Sequence, residues 1–505
     1  MSIGRVHVLV GFLLPAFAAD AQLAVTHGTA AGDVTATSAI VWARASAPAE
    51  MSVEVDDDPG FSHPRRFTAA ADAFDLTAQV AVDGLAPASR YHYRVVFANE
   101  GGRSESAAGS FATAPEPGEA RPVRFVVGGD VGGQGYCRHA ETGYAIFGAM
   151  AALEPDFFIA NGDMIYADAA CPAQGPEGWP NLPGDFPSID DPRVDWTDAG
   201  QVREVYLDHW RYNRADPHVQ GFHARVPVYA QWDDHEVIND FGARWASWSK
   251  APQRAGYPNL VAAGRQALFA WNPIARHRDE PERIYRSFRW GRDIELFLLD
   301  ARSYRSVNDL SERPDHTKTM LGEAQLAWLI DGLTRSDASW KVVSSDVPLS
   351  VPTGSQAQLY GRDGFADGGP HFEGTGFAER TGYERELRRL LAALDAADVE
   401  GVVFVVTDVH FAMNLRYAAD VDGDGDPLVF HELVSGPLNA VRAAGPPRLD
   451  PSFRPVILYA EGDLFNFSYV RVERRGGEVA LTADVRGADG AVRFGSRLEL
   501  TAAAP

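Results

Sequence analysis

The sequence predicts a chain of two parts, an all-β sandwich followed by a layered α/β domain. In residues 22–117 apolar residues alternate with polar ones, which is typical of strands. After a Pro/Gly/Glu-rich linker, Ala114–Ala120, apolar strands alternate with stretches of helical spacing. With 505 residues the chain can form more than one domain, each with its own core. We therefore expect an N-terminal domain over 22–117 and a second domain over 118–505.

The N-terminal domain contains short strands that are rich in β-branched and aromatic residues and are separated by turns, as in a β-sandwich. The stretch Leu85–Arg94 is similar to the closing strands of fibronectin type III or Ig-like domains. The predicted strands are Thr35–Arg44, Met51–Val55, Thr77–Val82 and Tyr91–Phe97.

The second domain shows the alternation of strands and helices. Two irregular insertions, 170–197 and 349–374, interrupt it. After Leu464 the pattern returns to alternating strands. The predicted strands are Pro122–Val127, Asp156–Ala160, Val226–Trp232, Ile294–Leu299, Trp340–Ser344 and Gly401–Val406, and the predicted helices are Thr142–Leu153, Gly322–Leu333 and Tyr383–Leu394.

The composition is that of an acidic globular protein. With 45% hydrophobic and 23% charged residues it is not a mainly disordered chain. The 46 Lys+Arg against 69 Asp+Glu give a net charge of −23, so we expect no specific nucleic-acid binding. A small phosphate ester remains compatible with that charge, because a bound cation reverses the local sign. Two cysteines, Cys137 and Cys171, exclude a Cys-rich zinc module and allow one disulfide.

The first 21 residues are typical of a secretory signal. Their apolar run, Val8–Ala18, is too short to span about 30 Å of hydrocarbon, and no later segment is long and apolar enough. A buried N-terminal helix or a membrane anchor is the alternative. We expect a signal peptide over residues 1–21 and a soluble protein exported to the periplasm or the extracellular space.

Ionisable side chains follow five predicted strands directly. Because the carboxyl ends of parallel strands lie along one rim of a sheet, we expect these side chains to meet there. Any one of them alone is more often a helix N-cap or a structural histidine, whereas five strand ends in succession indicate a site. Crowded carboxylates require a compensating cation, and the mixed donors predict two unlike metal ions sharing a carboxylate. The candidates are Asp130, Asp163, Tyr166, Asp234, His235, Asp346, Asp408 and His410.

At these residues the chain resembles the PhoD-type alkaline phosphatases, which belong to the calcineurin-like metallophosphoesterase superfamily. The resemblance extends from the sandwich to the C-terminus, and its motifs are specific in combination. It implies a layered metallophosphoesterase-type β-sandwich flanked by helices. The motifs are Gly162–Asp168, Trp232–Asp240, Leu299–Arg305 and Thr407–His410.

The resemblance also implies metal ligands. Asp163 would bridge two ions, and Asp130, Tyr166 and His410 would complete the site of an Fe³⁺ ion. Carboxylates stand at two positions where the superfamily usually has Asn and His, which favours Ca²⁺ as the second ion. Zn²⁺, Mn²⁺ and Mg²⁺ are alternatives. The ligands of the second ion would be Asp234 and Asp408, with Asp346 as a weaker candidate.

Other residues carry more than one interpretation. His235 resembles the outer-sphere histidine that contacts the phosphate or protonates the leaving oxygen. Arg302 and Arg305 are candidates to clamp the phosphate, and an ion pair with a neighbouring Asp is the alternative for Arg302. Cys137 is a candidate iron ligand or, in an exported protein, the partner of Cys171.

Two further segments are open at this stage. Tyr136 and Arg138 follow a Gly-rich loop and are candidates for the entrance of the site. The acidic run Asp422–Asp426 resembles the start of an EF-hand loop, but its twelfth position is Leu433, which favours a polar hairpin turn.

The sequence thus predicts an exported, monomeric enzyme that hydrolyses small phosphate monoesters with water activated by two metal ions, and it leaves activity on diesters open. An alternative enzyme is a phosphodiesterase or a phospholipase D-like protein. An alternative of another class is a calcium-stabilised binding or adhesion protein, but a structural calcium site has no use for His235 or Tyr166.

Overall fold

The computed structural model describes residues 22–71, 74–189, 191–242, 251–306, 318–352, 363–366, 382–445 and 449–503, with the backbone alone for 251–257. The predicted signal peptide and most of the insertion 349–374 lie outside the described residues. Within the described part, no helix is both long and apolar enough to cross a membrane.

The N-terminal part is a β-sandwich, as predicted. Its strands are β1 (Val25–Gly32), β2 (Ala39–Ala45), β3 (Ala49–Asp56), β4 (Arg65–Ala71), β5 (Thr77–Val82), β6 (Arg90–Asn99), β7 (Gly102–Arg103) and β8 (Ala107–Ala112). Strands β1, β2 and β5 face a second sheet of order β4-β3-β6-β7, in which β8 pairs with the same edge of β6 as β7, opposite β3. Alternate residues such as Val41, Val53 and Tyr93 point into the shared core. The fibronectin type III assignment stays a prediction.

The rest of the chain builds two large sheets and the helices that cover them. The strands are β9 (Val123–Gly128), β10 (Phe157–Asn161), β11 (Val228–Gln231), β12 (Arg286–Trp290), β13 (Ile294–Leu298), β14 (Trp340–Ser345), β15 (Val402–Val406), β16 (Ala412–Ala419), β17 (Leu428–Val434), β18 (Val456–Glu461), β19 (Asn466–Arg475), β20 (Glu478–Gly487) and β21 (Leu498–Ala503). The helices are α1 (Ala145–Ala151), α2 (Ala199–Arg214), α3 (Pro217–His223), α4 (Ala251–Trp271), α5 (Gly322–Arg335) and α6 (Glu384–Asp395).

The first large sheet is continuous with the N-terminal sandwich. Its order is β21-β20-β19-β9-β10-β11-β1-β2-β5, and β1 joins β11 in parallel where Gly32 is paired with Val228. A Cβ atom at residue 32 would lie 2.5 Å from the carbonyl oxygen of Val228, so this close approach requires glycine. Strands from both sides of the predicted boundary near residue 117 therefore belong to one continuous sheet.

The two large sheets face each other between two helical layers. The second sheet has the order β12-β13-β14-β15-β17-β16-β18. Residues on the inner faces, among them Phe125, Ile159 and Val403, share one core. Because side chains alternate along a strand, Phe158 and Phe404 point outwards and pack under the helices. Helices α1–α4 cover the first sheet, and α5 and α6 cover the second.

The carboxyl ends of the parallel strands meet at one edge of this assembly. Strands β9, β10 and β11 are parallel in the first sheet, and β13, β14, β15 and β17 in the second. The Thr407 hydroxyl donates to the Asn161 carbonyl at 2.7 Å, and Nε2 of Gln231 donates to the Leu299 carbonyl at 2.8 Å. These buried bonds join the two sheets beneath the site.

Candidate metal centre

The strand ends bring the predicted ligands together. Asp130 follows β9, Asp163 follows β10, Asp234 follows β11, and Asp408 with His410 follows β15. Asp130, Asp163, Asp408 and His410 adopt positive φ angles of 61°, 53°, 75° and 61°. Backbone strain of this kind at several neighbouring residues is typical of functional sites.

The first set of ligand atoms comes from Asp130, Asp163 and His410, all within 4.8 Å of one another. Both carboxylate oxygens of Asp130 are buried and lack a hydrogen-bond partner among the described residues. Nδ1 of His410 lies 2.6 Å from the Val441 carbonyl, so it carries the proton and leaves Nε2 as a ligand. That Nε2 lies 2.9 Å from the Tyr166 hydroxyl and 3.4 Å from Oδ1 of Asp130. A buried carboxylate without a partner is unfavourable, and a metal ion would remove the deficit.

Two further sets adjoin the first. Asp163 also lies within the same limit of Asp234 and His235, and Asp234 in turn of Asp233 and Asp408. Oδ1 of Asp234 and Oδ2 of Asp408 are buried and have no hydrogen-bond partner in the described part of the chain. Asp163 is thus common to two sets that lie side by side, as expected of a bridging carboxylate.

The electrostatics of the centre are those of a site built for cations. Burial raises the pKa of Asp163 well above its usual range, and the charges of Asp234 and Asp233 add to the effect. Burial also raises the pKa of Asp408, with the nearby Asp363 contributing. The pKa of Tyr166 is raised by burial and by Asp163. Cations bound between these groups would reverse each shift, because they favour the ionised forms.

His235 forms a buried pair with Asp168. Its Nδ1 lies 2.7 Å from Oδ1 of Asp168, and its ring stacks on Tyr166 with the centroids 4.0 Å apart. Burial alone would lower the pKa of His235, but Asp168 and Asp234 raise it to about 10. Burial alone would raise the pKa of Asp168, but the charge and hydrogen bond of His235 outweigh this effect and lower it. The imidazole is therefore held in one orientation with Nε2, 4.0 Å from Asp234, available to the cavity.

Glu236 fixes the backbone that carries the ligands. Its carboxylate accepts N–H groups of Asp163 at 2.9 Å, Met164 at 2.7 Å and Asp233 at 2.8 Å. Burial raises its pKa to about 7 despite these bonds. Asp168 and Glu236 were not among the predicted site residues, although both lie within the motifs that carry the family resemblance.

Arg302 is part of an ion-pair network, and its predicted role as a phosphate clamp is wrong for this geometry. The side chain is 1% exposed and donates to both oxygens of Asp363 at 2.5 and 2.6 Å, and through Nε to Asp233 at 2.5 Å. Arg305 donates to the Asp363 carboxylate at 2.7 Å. The guanidinium of Arg302 has no open side for a substrate, which favours the ion-pair alternative.

Asp346 lies behind the ligands, next to the same arginine. Its Oδ2 is 3.8 Å from Nε of Arg302, and burial raises its pKa to about 7. No group of three ligand atoms among the described residues includes it. Its weaker candidacy as a metal ligand therefore gains no geometric support.

The cysteines form a disulfide, Cys137–Cys171. This confirms the predicted pairing and leaves Asp130, not a thiolate, at the end of β9. Neither Tyr136 nor Arg138 lines the cavity above the centre directly, but the Tyr136 hydroxyl lies 3.4 Å from Nη2 of Arg442, which does line it, so a role of Tyr136 at the entrance stays a prediction. Nε of Arg138 lies 3.0 Å from the buried carboxylate of Asp216 instead.

The cavity above the centre has a volume of about 550 Å³. We call the carboxylates of Asp163, Asp234 and Asp408 its floor and Arg442 its mouth; His235 and His410 line it as well. Arg442 was missed in the sequence, because no motif surrounds it.

The acidic run Asp422–Asp426 is a turn, as the polar-hairpin interpretation predicts. It connects the antiparallel strands β16 and β17. The carboxylates of Asp422 and Asp424 accept the N–H groups two residues ahead, at 3.1 and 2.8 Å. Local bonds of this kind are typical of polar turns.

Comparison with known proteins supports the same family along most of the chain. The profile of the PhoD-like phosphatase family matches residues 125–483, and that of the PhoD-like phosphatase N-terminal domain matches residues 13–115. Alkaline phosphatase D of Bacillus subtilis (strain 168) is 24% identical over 425 residues, which cover 77% of this chain and 65%, less than two thirds, of the relative.

Solved structures show the same architecture. A structure of PhoD superposes with a TM-score of 0.71 at 20% identity, covering 94% of this chain and 92% of that one. A purple acid phosphatase from yellow lupin (Lupinus luteus) seeds gives a TM-score of 0.56 at 14% identity, covering 94% and 74%. The predicted metallophosphoesterase-type layering of the second domain is thereby confirmed.

Proposed function

Because this chain belongs to the PhoD-like phosphatase family, we propose that it is a metal-dependent phosphatase that hydrolyses phosphate monoesters. The relative from Bacillus subtilis is named an alkaline phosphatase. The observation that carries the proposal is the position of Asp163, whose carboxylate belongs to two adjoining sets of ligand atoms. Two cations that share a carboxylate are a recurring arrangement in phosphatases.

The donors on the two sides of Asp163 suit different ions. Asp130, Tyr166 and His410 would hold Fe³⁺, because phenolate and imidazole are ligands of such an ion. Asp234 and Asp408 would hold Ca²⁺, because carboxylate oxygens suit hard cations. When bound, the ions supply charge for the phosphoryl oxygens and acidify a water molecule. The unpartnered oxygens of Asp130, Asp234 and Asp408 support this assignment.

The chain supplies the proton donor itself. His235 faces the cavity beside the floor carboxylates, and Asp168 fixes its ring through Nδ1. A protonated imidazole in this position can protonate the alkoxide that leaves the phosphorus. Asp168 would thus be a positioning residue and His235 the general acid.

We further propose that the protein is exported. A disulfide persists chiefly in oxidising compartments, so Cys137–Cys171 supports this location together with the signal-like residues 1–21. The monomeric state stays a prediction.

The test is elemental analysis of the purified protein together with hydrolysis of a monoester and a diester of 4-nitrophenol. Iron and calcium with faster turnover of the monoester would support the proposal. A faster diester would identify a phosphodiesterase with the same centre. Calcium alone, with neither ester cleaved, would overturn the enzyme assignment and favour a binding protein.

A further inference from the structure

Arg442 lines the cavity, and the proposed phosphoryl chemistry assigns it no task. Among the described residues that line the cavity, it is the single arginine or lysine. Its side chain is 26% exposed, whereas Asp163 on the floor is 1% exposed. No floor carboxylate lies within 4.0 Å of it; its ion-pair partner in the described structure is Glu177.

The guanidinium is held in place from behind. Nη2 lies 2.5 Å from Oε2 of Glu177 and 3.4 Å from the Tyr136 hydroxyl. The group stacks over the rings of Tyr136 and Phe465, 5.3 and 5.2 Å from their centroids. Trp179 packs against both rings. The preceding residue, Val441, accepts the hydrogen bond from His410, so the arginine is fixed relative to a metal ligand.

The arginine retains binding capacity. Its Nε has no hydrogen-bond partner among the described residues but is buried, so the exposed part of the side chain, 26%, lies on its other atoms. Glu177 is 71% exposed, and an ion pair with so exposed a partner contributes at most about 1 kcal/mol. An anionic ligand can therefore replace Glu177, and a planar guanidinium matches a carboxylate or a phosphate through two bonds.

We infer that Arg442 binds a second anionic group of the substrate, a carboxylate or phosphate carried by the alcohol part of the ester. This inference rests on the proposed function, because it assigns the scissile phosphate to the floor. The cavity of about 550 Å³ is in the range that accepts a whole small molecule and not only a phosphate group. The preferred substrates are thus phosphate monoesters whose alcohol part carries an additional negative charge.

The test compares substrates that have this second anionic group with analogues that lack it. The metal-loaded protein is assayed with 3-carboxyphenyl phosphate and with its uncharged analogue, 3-carbamoylphenyl phosphate. A second pair, ethylene glycol bisphosphate and 2-hydroxyethyl phosphate, tests a phosphate in the same position. We expect kcat/KM to favour the charged member of at least one pair by about tenfold. The pair with the larger ratio identifies the anion.

The variant Arg442→Gln should abolish this preference, mainly through KM, and leave the uncharged substrates nearly unchanged. Arg442→Lys keeps the positive charge but cannot form two parallel hydrogen bonds to one anion, so it should keep part of the preference. Arg335→Gln, an equal change of charge at an exposed site on α5, is the matched control and should keep all of it.

Equal rates for both members of both pairs, or an equal loss for all substrates in Arg442→Gln, would overturn the inference. If no ester is hydrolysed, the proposed function fails instead. The inference is then tested by calorimetric affinity for the same four compounds, where a charge preference that depends on Arg442 supports it and equal affinities overturn it.

Discussion

The two sides of the metal centre differ in whether a positive side chain offsets the charge of their buried carboxylates. We call Asp130, Tyr166 and His410 the tyrosine side, and Asp233, Asp234 and Asp408 the carboxylate side. On the carboxylate side a buried arginine, Arg302, lies 3.7 Å from Asp408 and 3.8 Å from Asp234. On the tyrosine side, no arginine or lysine of the described structure lies within 4.0 Å of Asp130.

This difference indicates how each side depends on metal. The carboxylate side carries an internal positive charge that offsets part of its repulsion before any cation binds. Both sides have buried carboxylate oxygens without a hydrogen-bond partner among the described residues, but the tyrosine side has no such charge beside them. We therefore expect the carboxylate side to keep its geometry without metal, and the tyrosine side to need a bound ion to keep its geometry.

The largest effect is expected from Asp163→Asn, which changes the residue shared by both sides. Loss of the bridging charge should release metal from both sides and lower kcat/KM by more than about 10³-fold, or about 4 kcal/mol. Metal content and monoester turnover measure it. The same substitution at the exposed Asp398, after α6, is the control. Full metal content with turnover within about tenfold of the wild type would contradict a bridging role.

The next largest effect concerns stability. Arg302→Met leaves Asp233 buried without its cation and leaves Asp363 with Arg305 alone, and breaking a buried ion pair costs about 3–5 kcal/mol. Urea unfolding of the metal-free variant should show this loss. Excess Ca²⁺ should restore part of it, because an ion on the carboxylate side replaces the lost charge. A loss below about 1 kcal/mol would mean that Arg302 does not support this side.

A smaller effect separates chemistry from metal binding. His235→Gln should lower kcat about 10²-fold, which is typical of the loss of a general acid, with metal content unchanged. Asp168→Asn should cause a smaller loss, because the ring remains but its orientation and charge are less well fixed. If either variant loses metal in proportion to activity, His235 is a ligand on the carboxylate side and not a proton donor.

Much of this centre could be predicted because strands end where their apolar residues end. The runs before Asp130, Asp163 and Asp408 are almost continuously apolar, as expected of parallel strands buried on both faces. Parallel strands then place whatever follows them at one edge. The parallel strands and the meeting of Asp130, Asp163 and Asp408 at one edge therefore follow from local patterns along the chain, whereas the ligand roles of these residues rest on the family resemblance and stay predictions.

The supporting residues could not be predicted in the same way. Asp363 contacts Arg302 across 61 positions, and Glu177 contacts Arg442 across 265. No spacing rule links such pairs, because they depend on how the insertions fold back. Helix α4 was not predicted either, since it contains Pro258, a residue that normally marks a helix end.

The smallest effect concerns two buried histidines that are not among the metal-centre candidates. It tests whether the acid sensitivity of the protein arises from these histidines or from the metal centre. His209 and His223 are buried in the helical layer; burial lowers the pKa of His209 to about 3 and that of His223 well below its usual value. Below about pH 6.5 these two histidines bind protons in the unfolded chain but not in the folded chain. The free energy of unfolding therefore has its full value above that pH and decreases as the pH falls. Each histidine should lower the free energy of unfolding by up to about 1.4 kcal/mol per pH unit.

Urea unfolding of the metal-loaded protein between pH 6 and pH 4 measures this slope. The variant His209→Phe keeps an aromatic ring beside Phe186, whose centroid lies 4.0 Å from that of His209, and cannot be protonated. It should reduce the slope by the share of one histidine, whereas His63→Gln, at an exposed turn of the sandwich, should not. If His209→Phe leaves the slope unchanged, His209 is not a source of the acid sensitivity, and the remaining sources are His223 and the metal centre, where protons compete with the ions for the carboxylates of both sides.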